Sequence, residues 1–220
     1  MAAVAAGRFI TLEGIEGAGK STVARLLATW LAARGVSVCQ TREPGGTPLA
    51  EKVRGLVLDA GAERIPPEAE TLLMFAARGI HLANLVRPAL AQGRWVVCDR
   101  FTDATRAYQG AGRGLDPVLI ETLAAAVHGD LAPHCTLLLD LPVAVGLARA
   151  RARNAGTDRF EQERAPFFER VRAGYLELAR SNPGRIHVID AAAPLAAVEA
   201  QVQALLARLY AAELPAAAQA

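Results

Sequence analysis

The sequence lacks the features that several functional classes require. Its three cysteines, Cys39, Cys98 and Cys135, stand far apart, and each falls in an apolar run. No metal-ligand spacing joins them, so buried reduced thiols are expected. The four histidines, His81, His128, His134 and His187, form no ligand cluster, and surface or capping positions are expected for them. No apolar run is long enough to span a bilayer. The opening residues, 1–7, lack the charged and apolar regions of a secretory leader. A cytoplasmic location without a membrane partner is therefore expected. Neither sign of charge dominates: 24 Lys and Arg face 22 Asp and Glu, a net +2, which argues against a dedicated nucleic-acid surface. No internal repeat and no linker rich in Pro, Gly or Ser divides the 220 residues. A single domain over 1–220 is expected, ending in a frayed tail at about 211–220.

One feature is present in full. Residues Gly14, Ile15, Glu16, Gly17, Ala18, Gly19, Lys20 and Ser21 spell G-x-x-x-x-G-K-S. Arg8–Glu13 before them reads as a strand, and Ser21–Leu31 after them, including Thr22, reads as a helix. That context turns a glycine-rich turn into a phosphate cradle, because backbone N–H groups and the positive helix end face one point. Lys20 can place a charge between β- and γ-phosphates, and the Ser21 hydroxyl can ligate Mg²⁺. Without a ligand, Lys20 is expected to face solvent.

Four further apolar runs read as buried strands: 36–40, 95–98, 135–139 and 186–189. Continuous apolar runs fit a parallel sheet covered on both faces. Helical stretches are expected at 48–58, 69–92, 117–127, 142–153, 167–180 and 194–209. This alternation implies a doubly wound α/β sheet with right-handed crossovers. Its ligands should lie beyond the carboxyl ends of the strands.

Polar groups converge on that rim. Arg42-Glu43-Pro44-Gly45-Gly46-Thr47 is too polar and glycine-rich for a plain crossover, although a turn is the simpler reading. Asp99-Arg100 would put a carboxylate near a Mg²⁺ shell and a guanidinium beside a phosphate; the alternative is a strand-terminal ion pair. Arg78 on an apolar helix would by itself read as a snorkelling arginine. Arg149, Arg151, Arg153 and Arg159 form the densest basic run. A solvated helix face is the simple explanation. Arg149 and Arg153, however, fall four apart on one face, where like charges repel unless an anion joins them. A closing lid fits that demand.

Taken together, these residues resemble the bacterial thymidylate kinase family. The resemblance runs from about Arg8 to about Leu209. It rests on the Glu-containing phosphate loop, the 42–47 segment, Met74-Phe75-Ala76-Ala77-Arg78, Asp99-Arg100-Phe101 with Thr105 and Ala107-Tyr108-Gln109-Gly110, and the arginine-rich run ending in Asp158-Arg159-Phe160-Glu161-Gln162-Glu163. It implies a three-layer P-loop NTPase fold with a five-stranded parallel sheet, a small lid at about 149–163, and a homodimer. It also implies the reaction ATP + dTMP → ADP + dTDP with Mg²⁺.

By that resemblance ATP belongs on residues 14–22, with Arg149 and Arg153. The dTMP phosphate belongs among Glu43, Arg54 and Arg100, and the thymine edge on Arg78, Thr105 and Gln109. Tyr108 belongs near the deoxyribose, where it would disfavour a 2′-hydroxyl. Lys20, Glu43, Arg100 and Arg153 are the implied catalytic set, with Arg153 replacing an arginine that the loop itself lacks. Ser21 would hold Mg²⁺ directly and Asp99 through water. The family usually has an aromatic residue four positions before the base-reading arginine. Here that position is Met74, with Phe75 next to it, so either could cover the base. Rival readings are a kinase of the same fold with another monophosphate acceptor, and a regulatory ATPase or switch. A GTPase would need Asn-Lys-x-Asp, which is absent.

Overall fold

The computed structural model describes residues 7–59, 63–152, 160 and 163–214. Five parallel strands form one sheet: β1 (Phe9–Glu13), β2 (Val38–Arg42), β3 (Trp95–Asp99), β4 (Cys135–Asp140) and β5 (Ile186–Asp190), in the order β2-β3-β1-β4-β5. β1 is buried throughout and central. Its register sets Leu12 level with Asp99 of β3 and with Leu137 of β4. Alternate side chains serve two faces. Ile10, Leu12, Val97 and Leu137 join a core with Leu27 and Leu31 of α1 (Lys20–Ala32) and with residues of α9 (Leu195–Leu209). Phe9, Cys39, Val96 and Cys98 cluster with Leu82, Val86 and Ala89. All three cysteines are buried and free.

The remaining helices are α2 (Pro48–Leu58), α3 (Pro67–His81), α4 (Arg87–Ala91), α5 (Thr102–Thr105), α6 (Pro117–Val127), α7 (Val143–Ala152) and α8 (Ala165–Ser181). The architecture is the expected α/β sheet flanked by helices, with local differences. β2 lies two residues later than expected, because pairing with β3 sets Val38 against Trp95. The edge strands are not covered on both faces, and Val188 of β5 is half exposed. The single helix expected over 69–92 is instead α3 and α4, joined by a wider i→i+5 turn at Leu82–Val86. Pro88 explains the break: its ring would clash with the carbonyl four residues back and it has no N–H to donate. A second such turn, Arg106–Gly112, was not expected and carries Tyr108 and Gln109. Residues 211–214, expected to fray, are tied down by Glu213, which pairs with Arg8.

The phosphate loop lies directly against α7. A Cβ on Gly17, whose φ is +74°, would meet the Gly146 carbonyl oxygen at 1.9 Å, and a Cβ on Gly146 would meet the Glu16 carbonyl oxygen at 2.6 Å. Neither oxygen can rotate away as a side chain could. Gly146→Ala gains up to about 1 kcal/mol of helix propensity but forces overpacking that typically costs about 1–3 kcal/mol. The expected net result is a lower urea unfolding midpoint. An unchanged or raised midpoint would show that loop and helix part freely.

Candidate active site

Glycines at 14, 17 and 19 take positive φ, which turns the chain from β1 into α1. Lys20 does not face solvent as expected. It is buried, and its Nζ donates to the carbonyls of Gly14 and Ile15 at 3.0 Å each. Burial, and next the charge of Arg100, bring its amine down to about 8. Ser21 Oγ donates to Asp99 Oδ2 at 2.9 Å. A hydroxyl and a carboxylate side by side near Lys20 are hard oxygen donors of the kind Mg²⁺ takes.

Arg100 follows β3 with a φ of 75°, the left-handed region that a non-glycine residue seldom adopts. Its Nη2 donates to Glu16 Oε1 at 2.9 Å, and its guanidinium lies 4.5 Å from the Tyr108 ring centre. Tyr108 donates its hydroxyl to the same Glu16 carboxylate, at 2.7 and 2.9 Å. Glu16 therefore fixes Arg100 and Tyr108 relative to the loop.

Beside these residues lies a cavity. Glu43, Arg54, Met74, Arg78, Arg100, Thr105, Tyr108 and Gln109 all line it. Phe75 does not: it is buried with Leu115 and Ile120, with the Arg78 guanidinium 4.6 Å from its ring centre. Of the two candidates to cover a base, Met74 is thus the one on the wall. Arg78 Nε donates to Glu43 Oε2 at 2.7 Å and its Nη2 to Thr105 Oγ1 at 3.1 Å, while its buried Nη1 has no partner among the described residues. Gln109 donates its amide to Glu70, which Arg113 also reaches at 2.8 Å. Arg54 donates to the Pro44 carbonyl, next to the cis Glu43–Pro44 bond.

A second cavity, over the phosphate loop, is lined by Gly17, Gly19, Lys20, Ser21, Arg42 and Asp99. Glu16, Glu43, Arg54 and Arg100 line both cavities. The phosphate loop and the first cavity thus meet at two arginines. The sequence pattern that defines the family described as thymidylate kinase matches residues 12–202. The chain belongs to the thymidylate kinase family. A relative of that name from Pseudomonas entomophila is 58% identical over 200 residues, covering 91% of this chain and 95% of its own. One from Chromohalobacter salexigens is 57% identical over 201 residues, covering 91% and 95%. The crystal structure of thymidylate kinase from Ehrlichia chaffeensis superposes with a TM-score of 0.74 at 37% identity, covering 91% of this chain and 99% of that one.

Several members of the site were not foreseen as family site residues. His81, expected at the surface or in a cap, is fully buried, bridging Glu43 Oε1 at 2.9 Å and Thr41 Oγ1 at 2.7 Å. His128, which lines neither cavity, is likewise buried against its expectation, beside Thr102. Phe101 and Phe160 supply aromatic wall to the first cavity. Glu13 is a carboxylate at the end of an otherwise apolar and threonine strand, a sequence pattern that marks a buried polar group. Arg149 donates to the carbonyls of Ala191 and Ala192 at 2.7 and 3.3 Å, and lines neither of these cavities. Arg153 and Arg159 lie outside the described residues, so the face expected to join Arg149 to Arg153 does too.

The lowered Lys20 amine yields a pH test. Near pH 8 the ligand-free amine is partly neutral, and a polyphosphate beside it favours the charged form. Binding of a nucleoside triphosphate should therefore take up protons, more at pH 8.5 than at pH 7 as an on-scale comparison around that value. Calorimetry in buffers of different ionisation enthalpy measures the uptake. Equal heats in all buffers at both pH values would mean that Lys20 keeps its proton throughout.

Proposed function

We propose that this chain transfers the γ-phosphoryl group of ATP to dTMP, giving ADP and dTDP. The observation that carries this reading is the pair of cavities sharing Glu16, Glu43, Arg54 and Arg100. Phosphoryl transfer needs a donor and an acceptor held in line and their charges neutralised, with little covalent help from protein. ATP would lie on the 14–22 loop. Its backbone N–H groups would bind phosphate oxygens, and Lys20 would leave the Gly14 and Ile15 carbonyls for the β- and γ-phosphates. Arg54 and Arg100 would hold the acceptor phosphate. Arg78, Thr105 and Gln109 would read the thymine edge, Met74 would cover the base, and Tyr108 would crowd the 2′ position. The unpartnered Arg78 Nη1 supports this, since a buried donor without a partner costs about 1–3 kcal/mol until a ligand satisfies it.

Ser21 and Asp99 are the residues that would hold Mg²⁺, which when bound supplies charge neutralisation at the phosphates. Glu43 serves by fixing Arg78 and His81. The loop holds Glu16 and no arginine, so a lid arginine, foremost Arg153, is assigned to the charge that develops during transfer. Among the described residues no helix is long and apolar enough to cross a membrane. A cytoplasmic enzyme agrees with that. A second copy of the chain is the assigned partner. The neighbouring helices α2, α3 and α6 carry the exposed Leu56, Leu72 and Val118, apolar surface that a dimer would cover.

A coupled ADP-release assay with ATP and Mg²⁺ against dTMP, dUMP, dCMP, UMP and AMP tests the assignment. dTMP should give the highest kcat/KM. A faster acceptor elsewhere in the panel, or steady ADP release with none, would sink it. For the lid, Arg153→Ala should depress kcat far more than dTMP affinity, because its contact belongs to the reacting state. Arg153→Lys should recover only part of the loss. Wild-type kcat in alanine variants at 149, 151, 153 and 159 would remove the lid from the chemistry.

A further inference from the structure

Glu13 ends β1 and immediately precedes the phosphate loop. It is fully buried. Among the described residues its carboxyl takes two hydrogen bonds, both from neutral donors: the Phe101 N–H to Oε1 at 2.7 Å and the Tyr175 hydroxyl to Oε2 at 2.7 Å. Burial, and then the nearby Asp103, raise its carboxyl to about 8. A carboxyl is a costly way to fill space in a core, so its two bonds indicate what it is for.

The first bond holds the Arg100 turn. A left-handed backbone at a non-glycine residue costs about 1–3 kcal/mol and persists only where its surroundings over-determine it. Three contacts do so here. Arg100 N–H donates to the Leu12 carbonyl at 2.9 Å. Cys98 Sγ donates to the Arg100 carbonyl at 3.1 Å. The next amide, of Phe101, donates to Glu13. From that backbone the Arg100 side chain reaches Glu16 and the Tyr108 ring. The second bond extends the arrangement to α8. Tyr175 stands edge-on to Tyr108 at 6.2 Å, and α8 packs against the 106–112 turn that carries Tyr108. One carboxyl thus joins the base of the phosphate loop, the Arg100 turn and the helix behind Tyr108.

We propose that Glu13 is a positioning residue for phosphoryl transfer: through the Phe101 amide and the Tyr175 hydroxyl it fixes the left-handed turn that aims Arg100 at the boundary between the two cavities. This rests on the reading of Arg100 as a group that holds the acceptor phosphate.

The test compares steady-state constants for ATP and dTMP in Glu13→Gln, Glu13→Met, Arg100→Ala and the double variant Glu13→Met/Arg100→Ala. Gln keeps an acceptor for the Phe101 amide and should stay within about twofold of wild type. Met fills the same volume without an acceptor. It should lower kcat/KM for dTMP on the order of tenfold, leaving KM for ATP within about twofold. In the Arg100→Ala background the same change should add less than about twofold, since it acts through a side chain already removed. Wild-type dTMP constants in Glu13→Met, or a loss that adds in full to a defective Arg100→Ala, would overturn this proposal alone. A fully active Arg100→Ala would overturn the parent reading and this one with it. Should Glu13→Met not fold, Glu13→Asp takes its place, because its carboxyl ends one methylene short of the Phe101 amide.

Discussion

The parallel pairing that sets Leu12 of β1 level with Asp99 of β3 fixes the spacing of everything charged in the site. Because β1 is hydrogen-bonded on both sides, its end cannot drift, and the phosphate loop leaves from a fixed point. β3 ends beside it, so Asp99 reaches Ser21 and Arg100 reaches Glu16. β2 pairs with β3 up to Arg42 against Asp99, which brings Glu43 next to the same rim. Three chain segments distant in sequence are therefore aligned by backbone bonds before any side chain contributes. This is the general reason why ligands of such sheets sit at the carboxyl ends of the strands.

On that frame the first cavity is stiffened by buried charge. Glu43 and Arg78 each keep only 3% of their side-chain surface exposed, with His81 closing the group. A buried ion pair is weak evidence for stability, because desolvation offsets most of the attraction. Its value here is geometric. Two of the Arg78 donors are spent on Glu43 and Thr105, so the guanidinium plane is set and one nitrogen is left over. The second ionic group, Glu70 with Arg113 and Gln109, orients the amide in a similar way.

What the sequence made legible followed from local physics. The phosphate loop is a contiguous motif, and the three central strands are apolar runs because both faces of the sheet are covered there. The pocket residues on α3 and after β3 could be grouped only through resemblance, since Arg78 and Thr105 meet across 27 positions of chain. Boundaries set by partners are not legible in the sequence: β2 starts where Trp95 allows it. The wide turns at 82–86 and 106–112 differ from an α-helix by less than one residue per turn, too little for an apolar pattern to reveal. His81 and Lys20 were expected outside because both are polar. Their partners are a distant carboxylate in one case and the loop's own carbonyls in the other.

Arg54 and Arg100 stand in the walls of both cavities. On the proposed function, the first anion to arrive on either side would meet both guanidinium groups, and the second would have to share them. Each ligand would then be the other's electrostatic competitor at a distance and its guide at close range, since the shared cations would draw both toward one boundary. The preference among empty, half-filled and filled states would then depend on these two side chains as much as on any moving part.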